Sequence, residues 1–292
     1  MTTLVPRPLP THHARVAISH RRLTRWEGGD PLLNVELTWR EHQLTLFARL
    51  PARTLDAAEV GTLVTRLASA WSHVWMPRQA ISCRVSCSAC CRQMVPVSEP
   101  EMHQLRATVN SLPPEDRQRI EARFHDRLAM LEAAGLAERL RSPPEDDEGY
   151  AALMLDYFRA GVTCPFLEDN RCSIYEERPS ICREYAVSTP PDWCDAPFSS
   201  GVQVVPTGLR MVQLAQQAWT KLGHPPLKVT ALPLAFEWLE REGEPWPRVD
   251  GTRFIRTMFE SAPRTLRPWI RAMPSSKPPP DRPLVEVYRG AS

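Results

Sequence analysis

Eight cysteines and their spacing hold most of the chemical information in this chain. They fall in two stretches, Cys83, Cys87, Cys90 and Cys91 in one, and Cys164, Cys172, Cys182 and Cys194 in the other, with none elsewhere in 292 residues. A cysteine retained only for packing is a small hydrophobe and has no reason to cluster. Thiolate is the softest common protein ligand and selects zinc, cuprous copper, or iron and its sulfide clusters. The first stretch reads C-x3-C-x2-C-C, with loops short enough to turn successive sulfurs onto one point. Its adjacent pair is different: neighbouring side chains diverge in a strand and in a helix, which suits two metals, or one metal and a bridging role. The alternative is that one of the pair only packs. The spacings of seven and nine residues in Cys164, Cys172 and Cys182 need a folded loop to close.

Eight thiolates around two divalent ions would leave excess negative charge, costly where it is desolvated. Arg84, Arg92, Arg171, Arg178 and Arg183 lie beside the cysteines and could compensate through N–H···S contacts, with ordinary surface charge as the competing reading. His12, His13 and His20 belong to a polar arm. His73, His103 and His125 lie on expected helices, read as packed or solvent-facing rather than ligating. All eight cysteines are candidate metal ligands; Cys194 is the outlying one. No catalytic residue is identified.

The rest of the chain must position these groups. With 36 Lys+Arg against 34 Asp+Glu, no basic field points to nucleic acid. The first 26 residues have no apolar core segment or small-residue cleavage site, and no apolar run has the length of a membrane span. The expected compartment is the cytoplasm, where thiols stay reduced and metal ligation is favoured over disulfides. Thirty prolines are about twice the usual 5% share.

The reading in order is a flexible arm at 1–30, a β-hairpin plus helix at 31–80, a cysteine-cluster metal-binding domain at 81–200, a helical extension at 201–272 and a Pro-rich tail at 273–292. Alternation at Leu33, Val35, Leu37 and Trp39, resuming at Leu44, Leu46, Ala48 and Leu50, predicts the hairpin. From Asp56 to Met76 the period becomes 3.6. Ser98-x-x-Glu101 is a capping box, Pro113-Pro114 opens a longer helix closed by Gly135, and Ala151–Ala160 forms a short helix feeding Cys164. Further helices cover Val212–Leu222, Leu232–Glu242 and Thr252–Ser261. The fold class is α+β, mostly α-helical, with a loop-rich cysteine-cluster core flanked by helices.

The two cysteine stretches together resemble a zinc- or iron-chelating cysteine-cluster family, called CxxCxxCC or YkgJ-like. Its signature is a first knot ending in adjacent cysteines, then C-P-x-L, then C-x-I-Y-x-x-R-P-x-x-C-R. Cys164-Pro165-Phe166-Leu167 matches, as do Cys172, Ile174, Tyr175, Arg178, Pro179, Cys182 and Arg183. The first knot departs, with three residues between Cys83 and Cys87 and with Ser88-Ala89 where relatives often show glycine. The resemblance covers roughly residues 83–194. It implies bound zinc or iron, an iron–sulfur or dinuclear centre included. Some relatives are described as flagellin lysine N-methylases, which implies a protein-modifying enzyme as one alternative; a zinc-stabilised protein-interaction module is another. A methylase would need S-adenosylmethionine, yet no G-x-G-x-x-G loop follows a strand, and no P-loop, G-x-S-x-G or H-E-x-x-H pattern occurs. The expected partners are the metal ion and a protein substrate or partner, with neither nucleic acid nor membrane.

Overall fold

The structure, a computed structural model, describes residues 32–39, 42–49, 53–76, 80–84, 87–198, 201–243, 245–262, 269–271 and 285–288. For 32–39, 42–49, 74–75, 269–271 and 285–288 only the backbone course is described. The arm at 1–30, with His12, His13 and His20, and the proline run at 274–283 lie outside these residues.

The expected hairpin is present as strands β1 (Leu32–Trp39) and β2 (His42–Arg49). Its register pairs Leu37 with Leu44 and Val35 with Leu46, so the apolar positions of the two runs match. Two short strands, numbered β9 (Trp269–Arg271) and β10 (Val285–Tyr288) by chain order, extend it to a four-stranded antiparallel sheet of order β10-β2-β1-β9. They fall in stretches read from sequence as helical extension and Pro-rich tail. The free N–H and C=O groups on both hairpin edges supply the pairing, a long-range cause that segments of three or four residues do not announce.

Helix α1 (Ala57–Trp75) begins at Asp56, whose carboxylate accepts from Glu59 N at 3.0 Å while Glu59 accepts from Asp56 N at 3.0 Å. Its apolar stripe, including Val60, Leu63, Val64, Leu67 and Trp71, packs in one core with helices α7 (Met211–Lys221) and α9 (Gly251–Glu260). Trp71 Nε1 donates to Thr207 O at 2.8 Å. Thus 53–76 and the helices beyond residue 200, distinguished by sequence pattern, share a hydrophobic core. Strands β3 (Thr54–Leu55) and β8 (Val249–Asp250) tie the same regions together.

Helix α2 (Glu99–Asn110) lies against α1. It is followed by α3 (Pro114–Ala133), which ends at Gly135 with φ +68°, and by α4 (Ala137–Arg141). Helix α5 (Asp147–Arg159) starts four residues before the sequence expectation, because Asp146 caps it through Gly149 N at 2.7 Å. Strand β4 (Pro96–Ser98) pairs with β7 (Val229–Ala231), which leads into α8 (Ala235–Glu242). A second core joins α2, α3 and α8, where the Phe124 ring stacks on Phe236 at 3.9 Å and meets Phe166 edge-on at 5.3 Å. Cys164 belongs to this core, with Cys91 and Cys172 packed against it. Among the described residues no helix is long and apolar enough to cross a membrane.

Gly61 sets the α1–α2 crossing. A Cβ there would stand 2.1 Å from Pro100 O and 2.8 Å from Gln104 Cβ. Elsewhere in a helix, Gly→Ala stabilises by about 1 kcal/mol through propensity. Here overpacking dominates, and Gly61→Ala is expected to lower stability by about 1–3 kcal/mol in urea unfolding, the opposite sign to an uncrowded helical glycine.

Candidate metal centre

The first cysteine stretch ends in a single 3-10 turn, Ala89–Arg92, closed by Cys91 N donating to Ser88 O at 2.9 Å and Gln93 N to Cys90 O at 3.1 Å. The second stretch is stitched to it directly, since Cys164 N donates to Cys91 O at 2.7 Å. The seven-residue gap from Cys164 to Cys172 is closed by a tight hairpin, β5 (Leu167–Glu168) against β6 (Arg171–Cys172). Its turn residues Asp169 and Asn170 have φ +47° and +59°, left-handed values that Asp and Asn tolerate best among non-glycine residues. Cys182 is carried by α6 (Ser180–Glu184).

These elements bring Cys87, Cys90, Cys91, Cys164, Cys172 and Cys182 to the wall of one cavity of about 420 Å³. The adjacent Cys90 and Cys91 both face it, and Cys90 shares it with Cys172 from the other stretch. Met94, Met154, Tyr150 and Phe166 supply apolar wall. Cys83 and Cys194 are not part of that wall. Cys83 is exposed, and its Sγ accepts from Val187 N at 3.4 Å. Cys194 is buried in a 3-10 turn, Pro191–Asp195, that packs against the Ala89–Arg92 turn. All eight thiols are free.

The donor set fits a soft metal: reduced sulfur from two distant stretches, on one cavity. As the side chains stand, no three His, Cys, Asp or Glu among the described residues are gathered closely enough to hold an ion. Closing onto a metal therefore requires the sulfurs to move inward from the wall.

Electrostatics shows why a metal is needed to make these groups anionic. Burial pushes the Cys164, Cys182 and Cys172 thiols up, and Cys90 rises first through its hydrogen bond with the Cys91 thiol and then through burial. Arg178 opposes the rise at Cys90, Cys172 and Cys182. Its guanidinium lines the cavity, 4.0 Å over the Tyr175 ring, with Nε buried and without a hydrogen-bond partner. The other four arginines divide. Arg92 donates to Ser88 O at 3.2 Å and Asn170 Oδ1 at 3.1 Å, pinning the 3-10 turn to the hairpin. Arg183 is buried and donates to Arg178 O, Glu176 O and Ser69 Oγ, while burial lowers its pKa to about 10, so it stays a cation at neutral pH. Both organise the site through oxygen acceptors, where N–H···S contacts were expected. Arg171 stands exposed at the cavity and Arg84 is exposed beside Cys83.

Among the described residues, no histidine lines the cavity. His73 Nδ1 lies 2.7 Å from Ser69 O, His125 is exposed on α3, and burial lowers the pKa of His103 on α2. Sequence reading found the capping box but missed what Glu101 does beyond it. Only 2% exposed, its Oε2 accepts from Ser98 N (2.9 Å) and Ser98 Oγ (2.6 Å), and its Oε1 from Ser180 N at 2.8 Å. Pro179, preceding α6, has no N–H and offers no side-chain cap, so Glu101 caps two helices at once and sets the place of Cys182. Glu184, on the same short helix, accepts from Met211 N at 2.6 Å at the start of α7, and its other oxygen is buried without a partner. Burial raises its pKa to about 8.

A cysteine-lined cavity built from two stretches on a helical scaffold is the arrangement of a metal-chelating protein. Residues 82–196 match the CxxCxxCC family, described as a putative zinc- or iron-chelating domain, and this segment of the chain belongs to it. No curated protein and no solved structure matches the chain.

Two substitutions test this framework. Glu101→Ala leaves Ser180 N and the Ser98 pair without their acceptor, and is expected to cost about 2–4 kcal/mol in urea unfolding and to reduce bound metal. Glu184→Gln keeps the acceptor for Met211 N and removes the titration. Between about pH 4.5 and 8 the folded protein holds a proton at Glu184 that the unfolded chain releases, so this group makes stability fall as pH rises through that window. The variant should gain on wild type by more than about 1 kcal/mol from pH 5 to pH 8 in paired urea titrations; the thiols, common to both proteins, cancel.

Proposed function

We propose that this protein works through a zinc or iron centre held by cysteine thiolates in the 420 Å³ cavity, and that the centre is open to a further ligand. The observation that carries the reading is the meeting of six thiols from two distant stretches on a single cavity wall that is otherwise largely apolar. A structural zinc site is closed by its four ligands and leaves no space around the ion, whereas a reactive one keeps a position free. The cavity volume lies in the range of roughly 300–1,000 Å³ that small-molecule sites occupy. A bound metal would supply Lewis acidity or electron transfer; the chain supplies thiolate charge, Arg178 as counter-charge, and apolar walls that keep water away.

Between the metals, the adjacent pair supports iron, as a multinuclear or sulfide-bridged centre. Neighbours on one tight turn serve a centre of more than one metal better than they close one tetrahedron. Free thiols in this number suit a reducing compartment, and the cytoplasm is the proposed location.

Protein purified without oxygen is expected to be coloured through sulfur-to-iron charge transfer and to contain iron on metal analysis. Colourless protein holding zinc, a d¹⁰ ion without such transitions, would replace iron by zinc. Full-length, reduced protein with neither metal, and none taken up on incubation with zinc or ferrous iron, would sink the reading.

A further inference from the structure

The eight cysteines do not group in space as they group in sequence. Sequence order suggests one four-sulfur site from Cys83 to Cys91 and another from Cys164 to Cys194. The structure separates them along a different line, by their place relative to the cavity.

Cys164, Cys172 and Cys182 face the cavity, and Cys164 and Cys172 belong to or pack on the α2–α3–α8 core. Cys91 joins them: it packs on the same core, lines the same cavity, and its carbonyl takes the Cys164 N–H. Cys83 and Cys194 sit off the cavity, one exposed and one in the Pro191–Asp195 turn behind the Ala89–Arg92 turn. The thiols whose charges reach Cys194 are Cys83, Cys87 and Cys90, and those reaching Cys83 are Cys87 and Cys90. Cys87 and Cys90 therefore stand at the boundary, on the cavity wall and beside the outer pair. Cys90 is also within reach of Cys164, Cys172 and Cys182.

We infer that the chain holds two metal positions, an inner one served by Cys91, Cys164, Cys172 and Cys182 and an outer one served by Cys83, Cys87, Cys90 and Cys194, with Cys90 at their junction. The inference rests on the metal reading above and adds its partition. The distribution of counter-charge agrees with it. Arg178 acts on Cys172, on Cys182 and on Cys90 at the junction, and Arg183 acts on Cys172. These are sulfurs that would bring negative charge into a desolvated place. The outer group has Cys83 in solvent, where water screens the charge, and the Val187 N–H as a donor to its sulfur. Cys90 and Cys91, whose thiols are hydrogen-bonded to each other on the cavity wall, then link the two positions.

The two groupings make opposite forecasts for double variants of the full chain. Metal content would be measured on anaerobically purified, reduced protein after a fixed exposure to EDTA, with far-UV circular dichroism to check the fold. Grouping about the cavity predicts that Cys83→Ala and Cys194→Ala each lose half of the wild-type metal, and that the Cys83→Ala/Cys194→Ala pair loses no more than half. It also predicts that Cys172→Ala/Cys194→Ala loses all of it. Grouping by stretch predicts total loss in the first pair and half in the second, and that pattern overturns the inference. Loss of all metal in either single variant overturns it as well, since it indicates one shared cluster. So does full retention in the Cys83→Ala/Cys194→Ala pair, which removes both from the ligands. Cys83 is exposed, so its substitution tests the outer position without disturbing a core. Wild-type protein with one metal position per chain defeats the partition and leaves the metal reading standing; wild-type protein that binds no metal defeats both.

Discussion

A single buried carboxylate, Glu101, joins the helical scaffold to the loop that bears the second set of thiols. Three donors from two segments converge on it, the Ser98 N–H and hydroxyl and the Ser180 N–H, and it stands at the N-termini of α2 and α6, where a negative charge is favoured. An unsatisfied carboxylate at this depth would be prohibitive, so its partners are fixed as firmly as a core contact would be. Through Ser180 it places Cys182. Through α2, which crosses α1 at Gly61, it ties that placement to the largest core. Arg183 completes the join from the other side, holding the Glu176 and Arg178 carbonyls and reaching Ser69 on α1.

The site thus consists of irregular segments held by regular ones. Cys83, Cys87 and Cys164 stand in irregular backbone, and the others ride on a 3-10 turn, a two-residue strand, a five-residue helix and a second 3-10 turn, none of which buries enough apolar surface to be stable alone. Their fixity comes from the Cys164–Cys91 backbone bond, from the Arg92 clasp on Asn170 and from Phe166 wedged against Phe124. Raised thiol pKa values follow from this burial, and they mean that protons must leave as a metal enters. A scaffold that preforms the cavity while keeping its thiols neutral avoids the cost of several like charges in a dry interior before the ion arrives.

Much of this was legible in the sequence where the signal is local. Asp56 and Ser98 with their partners three residues on announce α1 and α2, Gly135 and Gly223 close helices at positive φ, and the alternation around Glu41-His42 gives the hairpin and its register. The short acidic run before α5 concealed which residue was the cap, and Asp146 proved to be it. Strands β9 and β10 could not be read, because their cause is the hairpin edge more than two hundred residues away. At the site, residue types pointed to convergence of the cysteines, but not to six of them lining one cavity while Cys83 and Cys194 stand off it. Nor could position beside a cysteine tell Arg178, which faces the cavity, from Arg92 and Arg183, whose donors are taken by oxygen. That distinction depends on which acceptors the folded loops leave nearby.

Two kinds of stability follow from the division between scaffold and site. The core of α1, α7 and α9 closes around Trp71, Phe254 and Phe259, each fully buried, and no cysteine is among its residues. The second core differs, since Cys164 is part of it and Cys91 and Cys172 pack on it. The thiols thus belong mainly to the α2–α3–α8 side, with α6, which carries Cys182, also held to α1 through Arg183 and to α7 through Glu184. Metal entering the inner position would draw in sulfurs that already belong to a packed core. Off the cavity, Cys83 is exposed whereas Cys194 is buried in a turn against Ala89–Arg92, so the two are not equally free to move. The α1–α7–α9 core can then hold the walls of the cavity in place while the irregular segments that carry the thiols adjust.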